Sequence, residues 1–107
     1  MLTTFYLGQS RPLGEFCEAL DEFVSDMKQR GLLERVGPVQ RRYRHEIMDT
    51  DRARDHDYCV VLSFSDREQC DAAVAAMQAV SEPSALKHSA AYGLVRDAEF
   101  SCWEDVQ

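Results

Sequence analysis

The chain has 107 residues, a formal net charge of −7 and 45% hydrophobic residues, which fits a single globular domain spanning 1–107. That composition excludes collagen-like, low-complexity and disulfide-scaffold classes. No stretch free of Asp, Glu, Lys and Arg exceeds ten residues, about half of what a membrane-crossing helix needs. Residues Met1 to Gly8 lack the basic start and long apolar run of a secretory signal, so the chain reads as cytoplasmic and without a membrane partner.

Leu2 to Leu7, rich in Thr and aromatics and bounded by Gly8, reads as a first strand. Leu13, Phe16, Cys17, Leu20, Phe23, Val24 and Met27 then recur at three-and-four spacing, which predicts a helix over 12–30. Ser10 is its expected cap, Glu15 suits its positive end, and Gly31 is its stop. Residues Val39 to Met48 alternate in the manner of a second strand, placed at a sheet edge because edges tolerate charge.

Asp49 to Asp57, with four Asp and two Arg, reads as a solvated hairpin loop, and His56 within it as solvated surface. Tyr58 to Phe64 is apolar on both faces, as expected of a central strand. Ser65-Asp-Arg-Glu68 has the form of a capping box opening a second helix, whose stripe is Cys70, Ala73, Val74, Met77 and Val80 and which ends before Glu82-Pro83. Ser84 to Gly93 reads equally as a short helix or an ordered loop. Leu94 to Trp103 closes the chain as a fourth strand, with Leu94, Ala98, Phe100 and Cys102 on one face.

Strand, helix, strand, strand, helix, strand is the split βαβ order of ferredoxin-like α+β domains: a four-stranded antiparallel sheet with two helices on one face. The third strand offers apolar residues to both faces, and Tyr6, Val95 and Trp103 add to the side without helices. A sheet bared in this way calls for a cover, and a second copy about a two-fold axis supplies one. With this element order and the segment His88-Ser-Ala-Ala-Tyr-Gly-Leu-Val-Arg-Asp-Ala-Glu-Phe, the chain resembles the dimeric α+β barrel superfamily over nearly its whole length. The closing segment is similar to that of one uncharacterised dimeric ferredoxin-like family. The resemblance implies a homodimer closed into an α+β barrel and brings no catalytic motif with it.

The four cysteines, Cys17, Cys59, Cys70 and Cys102, lack zinc-ligand spacing and read as buried small hydrophobes in a reducing compartment. The acidic loop fails the EF-hand pattern, with Arg54 where Gly belongs and Val60 where the bidentate Glu belongs, so no metal is expected. Haem-degrading relatives in the superfamily share an Asn, Trp and His set, and this chain has no Asn; no cofactor is expected. Nucleic acid is not an expected partner either. The basic run Arg41-Arg42-Tyr43-Arg44 splits across two strand faces, and the third strand lacks the Gly and basic residues of RNA-recognition sheets.

His88, Tyr92 and His45 are the candidate proton handlers. Tyr6, Tyr43, His88, Tyr92 and Trp103 are the candidate lining of a pocket for a small apolar or aromatic molecule. The alternative is a cofactor-independent monooxygenase or isomerase, of the kind that supplies little more than an aromatic, water-poor site.

Overall fold

A computed structural model describes residues 1–7, 12–79 and 83–106, with the side chains of 83–85 left aside. Among the described residues the chain is α+β. Strands β1 (Leu2–Leu7), β2 (Arg35–Val36), β3 (Gln40–Arg41), β4 (Tyr58–Ser63) and β5 (Val95–Ser101) accompany helices α1 (Leu13–Gln29), α2 (Arg67–Gln78) and α3 (Pro83–Tyr92). The sheet runs β2-β4-β1-β5, with β3 also paired to β4, and every pairing is antiparallel.

The period of two along β1 and β4 divides the sheet into unlike faces. Phe5 pairs with Tyr58 and Thr3 with Val60. Thr3, Phe5, Val60 and Leu62 are buried beneath the helices, whereas Leu2, Thr4, Tyr6, Cys59 and Val61 alternate onto the other face. Phe16, Leu20, Phe23, Val24 and Met27 are the buried stripe of α1, as their spacing predicts. The helix stops in a Schellman motif: Gly31 takes φ 71°, its N–H bonds Lys28 O at 3.0 Å, and Leu32 N–H bonds Met27 O at 2.8 Å. Ser10, the expected cap, lies outside the described residues, and the helix begins after Pro12, which gives no side-chain cap.

The capping box of α2 sits one residue later than its sequence form suggests. Asp66 accepts the Gln69 N–H at 2.8 Å, and Gln69 Oε1 accepts the Ser65 N–H at 2.7 Å. The carboxylate of Asp66 does what was expected of the Ser65 hydroxyl. Residues 80–82, where α2 was expected to end, are outside the described set. The ambiguous segment that follows is a helix, α3, closed by Gly93: its N–H bonds Ser89 O at 2.8 Å, and a Cβ there would stand 2.7 Å from that same oxygen.

The continuous strand expected over Val39–Met48 is not formed. Two short pieces, β2 and β3, flank Gly37-Pro38 along β4, because Pro38 offers no N–H and its neighbour Gly37 bonds Val61 O at 2.9 Å. After Arg41 the chain leaves the sheet into a cage of opposite charges. Arg42 grips Asp49 with two bonds of 2.8 and 2.6 Å, and Arg44 reaches Asp55 at 2.5 Å and Asp57 at 3.1 Å. The expected loop is exposed along most of its length, and these salt bridges lace it in place of the ladder that alternation alone suggests.

A bulge in β5 also changes which residues face the core. Thr4 pairs with Glu99 and Tyr6 with Arg96, so the β5 side carries one extra residue, and Asp97 adopts φ 54° there. Val95, expected on the side without helices, thereby pairs with Leu7, and both pack against the core.

Candidate functional site

An apolar opening lies between the helices and the sheet, with a volume of 340 Å3. Phe23 and Met27 of α1, Val74 and Met77 of α2, and Leu62 of β4 form its walls, and His88, Tyr92 and Phe100 stand along the α3–β5 side. These residues meet because each is the inward position of an amphipathic element. Alternation and helical spacing mark the walls of α1, α2 and β4 as apolar core, whereas His88 and Tyr92 stand out as candidates. Nothing in the spacing says that the core stops short of filling.

His88 and Tyr92 are one helical turn apart on α3, and their rings stack at 4.6 Å between centroids and 28° between planes. Phe23 meets the His88 ring edge-on at 5.3 Å, while Phe16 meets Tyr92 edge-on at 6.1 Å. Burial pushes the His88 imidazole below its ordinary pKa, because the charged form loses water there. Burial likewise raises the Tyr92 phenol, and nearby Thr3 draws it part of the way back. That approach is loose, since Thr3 Oγ1 is fully buried and has no partner at hydrogen-bond geometry. Both groups are thus held neutral at ordinary pH, the form in which they present flat, weakly polar rings to an opening with little other polarity.

The other candidate residues lie elsewhere. Tyr6 is on the helix-free face. Tyr43 is 79% exposed and Trp103 75% exposed, the latter donating its indole N–H to Ser101 Oγ at 2.8 Å, and neither lines the opening. His45 is a local cap: its Nδ1 accepts the N–H groups of Ile47 and Met48 at 3.1 and 2.9 Å. It borders a second, polar depression in which Arg42 pairs with Asp49 and Arg44 with Asp55.

His56 corrects the sequence reading. Expected on the solvated surface, it is only 6% exposed: its ring lies 4.8 Å from that of Tyr6, and its Nε2 is 2.5 Å from Asp97 O. The loop therefore folds back onto the helix-free face instead of standing off from it. Arg54 adds a contact there with Glu99 at 3.4 Å. The cysteine reading also changes, for Cys17, Cys59 and Cys70 are only half-buried and Cys102 is exposed.

Among the described residues no group of three His, Cys, Asp or Glu side chains could hold a metal ion, and no helix is long and apolar enough to cross a membrane. No protein family, curated protein or solved structure matches the chain.

Proposed function

We propose that this chain is a ferredoxin-like subunit of a homodimer, paired through its helix-free sheet face, and that each subunit holds a small apolar or aromatic molecule in the cleft beside His88 and Tyr92. The cleft carries this reading. Its 340 Å3 falls within the range of small-molecule sites, and is about twice the volume of an apolar cavity that admits benzene. The stacked, neutral rings of His88 and Tyr92 suit a flat ligand, with the imidazole free to share one directed hydrogen bond.

Taking β2 and β3 as one interrupted edge strand, the order β2/β3-β4-β1-β5 with its intervening helices supports the ferredoxin-like assignment. The surface supports pairing. The chain exposes 7415 Å2, against about 6,100 Å2 for a compact monomer of its 12.2 kDa. The excess is larger than the roughly 800 Å2 that each partner buries in a standard interface. Beside the part of this face that the 42–57 loop covers at Tyr6 and Glu99, Val61 stays 40% exposed next to Leu2 in the register, an apolar patch that can meet its own copy about a two-fold axis.

Calorimetric titration with indole tests the cleft. Saturable binding is expected, weakened at least tenfold in Val74→Phe, which fills the opening. Binding that ignores this substitution would place the ligand elsewhere. A second reading, cofactor-independent oxygenation or isomerisation, is favoured by the neutral imidazole at the cleft wall, a group able to take a proton from an acidic phenol or ketone. In that case His88→Phe abolishes turnover of such a substrate while leaving indole binding in place.

A further inference from the structure

The segment after β5 runs back against the first turn of α2. Arg67 Nε donates to both carboxylate oxygens of Glu104 at 3.0 Å, and Arg67 Nη2 adds a third bond. This pair sets a register. Arg67 and Cys70 are three apart on one face of α2, and Cys102 precedes Glu104 by two residues in the tail that this pair holds against the helix. Cys102 is among the groups that act on the Cys70 thiol, which burial above all raises. Cys102 is exposed and Cys70 half-buried, so one sulfur meets solvent and the other waits behind it.

The segments that carry the two cysteines also border the cleft. Phe100, two residues before Cys102, and Val74, one helical turn after Cys70, both line the opening. We propose that Cys70 and Cys102 form a reversible disulfide that staples the C-terminal tail to α2 beside the cleft.

The oxidant is a low-molecular-weight disulfide such as glutathione disulfide. The Cys102 thiolate attacks one of its sulfurs, forming a mixed disulfide and releasing one glutathione thiolate, which takes up a proton. Cys70, giving its proton to solvent, then attacks Cys102 Sγ and expels the second glutathione. Two protein thiols are oxidised to one disulfide, and glutathione disulfide is reduced to two thiols. Burial raises the Cys70 thiol, so this second step speeds as pH rises.

The test is incubation of the full chain with glutathione disulfide, followed by intact-mass measurement and peptide mapping. The expected product has lost two hydrogens and yields a Cys70–Cys102 cross-linked peptide, with Cys17 and Cys59 still alkylatable and the bond reversed by dithiothreitol. Cys70→Ser should stop at a glutathione adduct on Cys102. Arg67→Gln, which loosens the register at an exposed pair, should lower the cross-linked yield severalfold with an unchanged circular dichroism spectrum. A stable glutathione adduct on Cys102 in the unaltered chain, or a Cys102–Cys102 link between copies, would overturn the proposal. Slower release of indole from the oxidised chain is a further expected effect, and it alone rests on the cleft reading. The cross-link stands or falls without it.

Discussion

His56 Nε2 lies 2.5 Å from the carbonyl oxygen of Asp97, a residue 41 positions away, and each holds the other in an uncommon state. The carbonyl accepts, so the ring proton is on Nε2, and the buried Nδ1 is left with no partner. Asp97 in turn keeps a φ of 54°, a left-handed conformation that a non-glycine residue adopts only at a cost. The contact pins loop 42–57 against the bulge and against Tyr6. His56→Ala removes the bond and leaves a gap, and is expected to cost about 2 kcal/mol in urea unfolding. An unchanged midpoint would mean that the loop holds without it.

The cleft histidine has a pH signature. Burial depresses the folded-state pKa of His88, so the unfolded chain binds a proton more readily. Its stabilising contribution is complete above the ordinary histidine value of about 6.5 and is lost as pH falls through the depressed folded value. Stability should decline as pH falls from about 6.5 to the depressed folded value in the unaltered chain and decline less in His88→Phe, which keeps a flat ring without the titrating group. NMR titration of the imidazole should give a midpoint under 6.5; a midpoint above it would reverse the sign.

Arg42 and Asp49 make a separate, acid-sensitive brace. Hydrogen bonding from the guanidinium holds the Asp49 carboxyl below its usual value. The contribution is present above the ordinary carboxylate range and disappears as pH falls through the lowered folded value. In Arg42→Gln the stability loss between about pH 4 and pH 2 should be shallower than in the unaltered chain. Parallel denaturation curves at those two pH values check this, and identical slopes would count against the brace.

Assembly is open to a single substitution. Val61 is 40% exposed at the centre of the helix-free face, beside Leu2 in the register. Val61→Arg should convert a dimer to single subunits in sedimentation analysis without changing the circular dichroism spectrum, because the side chain points away from the helices. A single-subunit mass for the unaltered chain at concentrations well above micromolar would remove the proposed interface.

Helix α1 was legible because its five buried residues repeat the helical period without interruption. The alternation of β1 and β4 was legible for the same reason, as was the capping box of α2 to within one residue. The 39–48 segment misled because alternation also arises where arginines are spaced to meet distant aspartates; only the fold reveals that Asp49, Asp55 and Asp57 stand ready for Arg42 and Arg44. His56 left no trace among charged neighbours, since its burial depends on a bulge 41 residues further along. His88 and Tyr92 were found as candidates, yet the walls around them read as ordinary core: an opening is a shortage of volume between elements, and no single residue carries it.

The methionines test the cleft most directly. Of the four, Met1, Met27 and Met77 line the opening, while Met48 sits 75% exposed on the charged loop. With methyl-labelled methionine, titration by indole should move the resonances of the first three along a common saturation curve and leave Met48 in place. Movement of Met48 alone, or of none, would contradict binding between the helices and the sheet.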